Sequence, residues 1–217
     1  MPERLIIIGC GAQARYILNT VSLTNGPEII GLVDTFDNPS IWGNVIDHAR
    51  VLGNLDALKK YPPIADLQVI TAIADLDMKH RVVDQLMTTG YTFYSAIHPS
   101  ACIAGHVTIG VGTIINAHAV IETGTIIGNH VIIHAGCVVE HDNVLEDFVN
   151  LGPGVVTAGR VRVKNGAVIF TGASIIPDVV VGENAVVGAG AVVIKSVAPD
   201  SRVVGIPARQ INLRKGQ

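Results

Sequence analysis

Aromatic side chains make up only 4% of this 217-residue chain. A core with so few rings must be filled by Ile, Val and Ala. Stacked, repeating architectures tolerate that, because each layer repeats one small packing problem. Charge is also scarce: charged residues are 15%, and 15 Lys+Arg against 18 Asp+Glu leave a net charge of −3. No basic stripe stands out, which excludes a nucleic-acid partner held by electrostatics. The longest apolar runs are short, as at Leu5 to Ile8, so no stretch reaches the length of a membrane span. The N-terminus lacks the cationic-then-apolar pattern of a signal peptide. Cysteine occurs only at Cys10, Cys102 and Cys137, in no metal-ligand spacing. So sparse and odd a set fits a reducing cytoplasm rather than a disulfide framework. In abundance are hydrophobic residues, at 49%, and 23 glycines, enough for one large core or two small ones.

From Ile97 to Val193 an aliphatic residue returns every six positions, 17 times without a gap, and Thr157 is the one departure. Four residues after each sits Ala, Val, Thr or Cys, with Asn143 the single exception. A period of six fits neither a 3.6-residue helix nor an alternating strand. It fits a coil of short strands joined by tight turns, aliphatic residues pointing at the axis and Gly or Asn permitting the turns. Three hexads make an 18-residue triangular coil, so 17 hexads make between five and six coils. The expected boundary is a β-helix over 96–217, after a different domain over 1–95.

In that first segment Arg4 to Ile8 reads as a buried strand, Ala12 to Val21 as a helix, Glu28 to Val33 as a second strand, Leu67 to Ile73 as a third, and Met78 to Thr89 as a second helix. This βαβ alternation implies a small parallel sheet. The turn Gly9-x-Gly11-x-x-Ala14 follows a strand and opens a helix, where exposed N–H groups and the helix dipole favour an anion. Asp34, ending the second strand, is a candidate acceptor for a ribose or base. A nucleotide-sugar site, a nicotinamide site and a purely structural turn all remain open on this motif.

The segment Val139-Glu140-His141-Asp142-Asn143 interrupts the repeat, and polar breaks in a regular core are where function is expected. His141 can serve as a general base near neutral pH, with an adjacent carboxylate orienting its ring. His48, His80, His106, His118 and His130 read as solvated turn residues. A metal would need ligands at multiples of 18. Only His98 and His134, 36 apart, meet that, and no third ligand converges on them, so no metal is expected.

On these residues the chain resembles the sialic acid O-acetyltransferase-like hexapeptide transferases, and within them the nucleotide-linked 4-amino-sugar N-acetyltransferases of the bacillosamine and perosamine type. The likeness rests on the Gly-rich turn, Val51-Leu52-Gly53, Ala96-Ile97-His98-Pro99-Ser100, Val139-Glu140-His141-Asp142, the run from Val187 to Val193, and Val204-Gly205-Ile206-Pro207-Ala208-Arg209. It implies a Rossmann-like α/β half-domain followed by a left-handed parallel β-helix, assembled as a homotrimer with active sites between subunits. It implies a cytoplasmic acetyl-CoA-dependent enzyme of surface glycan synthesis that acylates the amine of a nucleotide-linked sugar. A sugar O-acetyltransferase and a metal-dependent hydratase on the same β-helix are the alternatives. The implied base is His141, with Asp142 or Glu140 as its acidic partner. Asn150 takes the place of a second histidine that contacts the acetyl carbonyl. Acetyl-CoA is expected along Asn150, Gly159, Thr171 and Ala189. The sugar nucleotide is expected at Gly11, Ala12, Gln13, Asp34, Thr35 and Ala74, the last followed by Asp75.

Overall fold

The structure is a computed structural model that describes residues 3–211. It divides into two compact units, Met1–Pro99 and Ser100–Gln217.

In the first unit the chain forms β1 (Arg4–Ile8), α1 (Ala12–Ser22), β2 (Glu28–Asp34), β3 (Val45–Ile46), β4 (Ala49–Asn54), β5 (Leu67–Thr71), α2 (Leu76–Thr89) and β6 (Thr92–Phe93). The sheet order is β3-β4-β2-β1-β5-β6. Its strands pair in parallel except β3 against β4. Leu5, Ile6, Ile7 and Ile8 are all fully buried, as expected of a central strand covered on both faces. Strand β4 escaped the sequence reading because Ala-Arg-Val-Leu-Gly-Asn alternates buried and open residues over one short stretch, too brief for a periodic signal. Gly9 has φ +125°, and a Cβ there would lie 2.5 Å from the Ala72 carbonyl oxygen. That contact explains the glycine where β1 turns past the end of β5.

The second unit is a three-faced parallel β-helix of two-residue strands. Face 1 stacks Cys102–Ile103, Val120–Ile121, Val138–Val139, Val156–Thr157, Ser174–Ile175 and Val192–Val193. Face 2 stacks Thr108–Ile109, Ile126–Ile127, Val144–Leu145, Arg162–Val163 and Val180–Val181. Face 3 includes Ile114–Ile115, Ile132–Ile133, Asn150–Leu151, Val168–Ile169 and Val186–Val187, and closes on Arg202–Val204 and the antiparallel Arg209–Ile211. Up to Val193 each strand pairs with residues 18 positions away, as in Val138↔Val156 and Val139↔Thr157, and the closing pair Val186↔Arg202 is 16 apart. The second residue of each strand points to the axis: Ile121, Ile133, Val139, Leu145 and Leu151 are fully buried. At every corner one residue adopts a left-handed conformation. From His106 to Gly190 every sixth residue has φ between +53° and +74°. Seven of these are glycine; His106, His118, His130, Asp142, Phe148, Arg160, Asp178 and Asn184 are not.

His130 departs from the expectation of a solvated turn residue. It is 3% exposed and stacks on Phe148 with ring centroids 5.1 Å apart. The two rings occupy the same corner of successive coils, so each covers the other.

Two stability predictions follow from this packing. Leu145→Ala empties a fully buried axial position and should cost about 2–5 kcal/mol. Ile126→Ala, at a residue 50% exposed, should cost less than about 1 kcal/mol. Urea midpoints with an unchanged m-value check both. Lys79 on α2 is 3% exposed, and burial drives its amine down to about 7. In the unfolded chain a lysine titrates near ~10.4. As pH falls below that value the unfolded chain takes the proton first, so stability is lost progressively until the folded group titrates. The thermal midpoint should therefore rise from pH 7 to about pH 9.5, and Lys79→Met should flatten the rise.

Candidate active site

His141 stands at the corner between faces 1 and 2, immediately before the left-handed residue Asp142 (φ 57°). Its Nδ1 lies 2.8 Å from Asp142 Oδ2. An ionised carboxylate only accepts, so Nδ1 carries the proton and Nε2 is left as the acceptor. Glu140 makes no ring contact among the described residues; its carbonyl, not its carboxylate, belongs to the turn.

Two glycines leave room for this pair. One coil later Gly159 lies under the ring, and a Cβ there would sit 2.5 Å from His141 Nε2. One coil earlier Gly124 backs Asp142, and a Cβ there would overlap Asp142 Oδ1. The backbone is pinned by rungs: Asp142 N–H donates to the Thr123 carbonyl and Arg160 N–H to the His141 carbonyl, each at 3.0 Å. At the same corner the Arg160 guanidinium is bidentate on Asp178, at 2.7 and 2.9 Å. Asp142 is thereby left to His141. The histidine and its acid remain open to solvent, with side chains 44% and 60% exposed.

The remaining expected donor-side residues lie elsewhere on the prism. Thr171 and Ala189 are exposed and occupy the same place in successive coils at the corner between faces 3 and 1. The left-handed residues beside them, Gly172 and Gly190, have open space where a Cβ would be, as does Gly154 one coil earlier. They form a bare, narrow edge. Asn150 is half-buried on face 3. Within one chain, therefore, His141, Asp142 and Gly159 come together, while Asn150, Thr171 and Ala189 do not join them. Cys137 is fully buried with its thiol donating to the Gly152 carbonyl at 3.1 Å. Burial pushes that thiol up to about 11, which makes it a packing residue. Burial also pushes His134 below the usual histidine range. No group of three His, Cys, Asp or Glu placed to hold a metal ion occurs among the described residues.

The family description "PglD N-terminal domain" matches residues 4–86. Over 133 residues the chain is 33% identical to GDP-perosamine N-acetyltransferase of Escherichia coli O157:H7, an overlap of 61% of this chain and 57% of that protein. PerB from Caulobacter crescentus, solved with CoA and GDP-perosamine, matches with TM-score 0.84 at 29% identity, covering 96% of this chain and 97% of that one. The acetyltransferase domain of PglB from Neisseria gonorrhoeae FA1090, solved with acetyl coenzyme A, matches with TM-score 0.89 at 25% identity, covering 97% and 100%. Residues 4–86 thus match the PglD N-terminal domain family, and nearly the whole chain is similar in fold to N-acetyltransferases that join such a domain to a hexapeptide β-helix. Like those structures it joins an α/β sheet domain to a left-handed β-helix. A serine acetyltransferase of Salmonella typhimurium is 36% identical over 73 residues, 33% of this chain and 27% of that protein. The chain thus spans just over half of one curated relative and about a quarter of the other. The structural relatives include nucleotide-sugar N-acetyltransferases.

The matched residues 4–86 include the segments expected to meet a sugar nucleotide. Gly11 caps α1 with no side-chain hydrogen bond; Gly11, Ala12 and Ala74 are exposed, and Thr35 and Gln13 are half-buried. The Gln13 amide nitrogen is buried without a hydrogen-bond partner among the described residues. β1, β2 and β5 pair side by side in parallel, so these segments lie at one end of the sheet. Asp34 behaves differently from a free ligand acceptor. It is 2% exposed, and its carboxylate accepts from the Phe36 and Asn38 amides at 3.0 and 2.5 Å and from Trp42 Nε1 at 3.3 Å. Burial alone would raise its pKa, but these donors hold it below the usual carboxylate value. Asp34 organises the loop that follows β2. Asp75 caps α2, accepting from the Met78 amide at 2.7 Å.

A methyl group at Gly159 should displace the ring without straining the backbone, since Gly159 is not among the positive-φ positions. Gly159→Ala should keep the wild-type melting temperature within about 3 °C while breaking the His141–Asp142 hydrogen bond. A crystal structure of the variant, or the imidazole nitrogen shifts by NMR, reads the outcome.

Proposed function

We propose that this protein transfers the acetyl group of acetyl-CoA to the amine of a nucleotide-linked sugar, with His141 as general base. The observation that carries this reading is the pairing of His141 Nδ1 with Asp142, which leaves Nε2 open above Gly159. The amine attacks the thioester carbonyl carbon, and Nε2 takes the proton it sheds. The C–S bond breaks and CoA leaves as the thiol, taking up that proton. Asp142 stabilises the imidazolium between the two transfers. The Asn150 amide, or a backbone N–H beside it, polarises the thioester carbonyl.

The chain acts as a homotrimer with each site between two subunits. Two observations support this. The acceptor-side histidine and the bare edge at Gly154, Gly172 and Gly190 occupy the two borders of face 1, so a neighbouring copy is needed to bring an edge to a histidine. Face 1 itself turns outward Cys102, Val120, Val138, Val156, Ser174 and Val192, with Ile176 and Ile194 exposed beside them. That is an apolar surface suited to burial against a second copy. The stacked small residues Thr171 and Ala189 suit the thin pantetheine arm of CoA. The α/β unit holds the nucleotide at Gly11, Ala12, Gln13, Thr35 and Ala74, with the N-terminus of α1 toward phosphate. Asp34 contributes by fixing the loop. Free cysteines at 10, 102 and 137 accord with a cytoplasmic enzyme supplying surface glycan synthesis. No helix among the described residues is long and apolar enough to cross a membrane.

A thiol-release assay with acetyl-CoA and a panel of nucleotide-linked 4-amino sugars tests the reading. Wild-type protein should release CoA with at least one acceptor. His141→Ala should lose about 10²–10⁴-fold in turnover while its mass by light scattering stays that of the wild-type assembly. Release at the wild-type rate from His141→Ala would remove this histidine from the mechanism.

A further inference from the structure

The aliphatic and small-residue registers of the β-helix each break once, at Thr157 and Asn143, and both breaks fall on the coils that carry His141 and its floor. Asn143 is fully buried. Its Nδ2 lies 2.6 Å from the Glu140 carbonyl oxygen, 2.9 Å from that of Ala158 and 3.3 Å from that of His141. Only an amide nitrogen suits three carbonyl oxygens, so the orientation of this side chain follows from its surroundings. From the preceding coil the Thr125 hydroxyl, also fully buried, donates to the same Glu140 carbonyl at 3.1 Å.

The identity of those carbonyls decides what the contacts do. The carbonyl of Glu140 lies in the peptide plane before His141, and the carbonyl of His141 lies in the plane after it. Fixing both planes fixes the direction of the His141 Cα–Cβ bond. The carbonyl of Ala158 lies in the plane before Gly159, the residue beneath the ring. One amide therefore ties the catalytic turn to its own floor. Elsewhere in this register Thr113 donates to the Gly128 carbonyl at 3.0 Å and Cys137 to that of Gly152 at 3.1 Å, each 15 residues ahead. At the equivalent corner of other coils the register holds Val107, Val161 and Val179, which donate nothing.

We infer that Asn143 is a positioning residue for acetyl transfer, holding the 140–142 turn and the Gly159 floor together so that His141 Nε2 meets the attacking amine. It touches no substrate and acts through the backbone on either side of His141. The inference rests on the base role proposed for His141. Misplacing a reacting group by about 1 Å can cost roughly 10²-fold, so the loss expected here is in kcat rather than in binding.

The test compares N143V, in which the position takes the residue found at 107, 161 and 179, with T113V, a change of the same kind at a different corner. CoA release is measured for both beside the wild-type protein and H141A, with circular dichroism and thermal melting to confirm folding. N143V should lose about 10-fold or more in kcat, with KM for acetyl-CoA and acceptor changed less than about twofold. T113V should keep wild-type kcat. Should N143V not fold, N143T replaces it, since Thr is accommodated in this register at 113 and 125. It keeps one donor for the next coil and none for both carbonyls of the turn, so the same loss in kcat is expected. Wild-type kcat in a folded Asn143 variant overturns the inference, as does an equal loss in T113V. Full activity in H141A would instead overturn the base role, whatever the Asn143 variants do.

Discussion

Each coil of the β-helix is registered on the next by backbone hydrogen bonds spaced 17 or 19 residues apart, and the corners must turn at one residue with positive φ. Everything functional in this protein depends on that constraint. It means that a side chain at one corner has a predictable neighbour directly above and below it. The His141 ring has Gly159 and the Asp142 carboxylate has Gly124. Bulk at either glycine would expel one member of the pair. The site is thus made as much by absent side chains as by present ones. Its rigidity comes from rungs that any sequence of this period would form, and its chemistry comes from which residues fill four adjacent places.

The cost of that chemistry is visible in the core. Asn143 Oδ1 and Thr157 Oγ1 are buried without a hydrogen-bond partner among the described residues, and such atoms cost about 1–3 kcal/mol each. Asp142 adds a non-glycine residue in the left-handed region, a further strain of order 1–3 kcal/mol. The two unpartnered core atoms lie on successive coils, while the coils on either side carry fully buried Ile, Leu and Val at the axis; the left-handed strain at Asp142 is shared with seven other non-glycine corners. A long repetitive core lets a local deficit be offset by its neighbours, since each coil is bonded to both.

The repeat made the second unit legible in advance. A six-residue aliphatic period admits one kind of coil, so the axial positions from Ile103 to Val193 and the interruption at 139–143 could be read directly. The exceptions were equally legible as exceptions. Their roles were not, because what Asn143 does depends on carbonyls at 140, 141 and 158, and a pattern of side chains says nothing about where carbonyls point. The left-handed corners were hidden for a similar reason: His, Asp, Phe and Arg share these positions with Gly, so no residue type marks them. In the first unit the long strands and helices were readable, whereas β4 was not. Asp34 is visible in the sequence as a polar strand end, but its partners lie in the loop up to Trp42, a stretch without periodicity, so its role in holding that loop is not. His130 was misread because its shelter is Phe148, 18 residues away, and only the coil length brings them together.

In the proposed reaction the site is divided between two edges of one face. The proposed base and its acid belong to one corner of face 1, and the narrow glycine edge to the other. On an isolated chain both are open to water, and the exposed pair at 141 and 142 is worth little as a salt bridge. Burying face 1 against a second copy would bring an edge to a histidine and at the same time lower the dielectric around the carboxylate, strengthening its hold on the imidazolium. Assembly and catalytic competence would then be the same event. A thioester exposed to an activated base in an unassembled chain risks loss to water, and a chain whose two halves of the site cannot meet avoids that loss without any moving part.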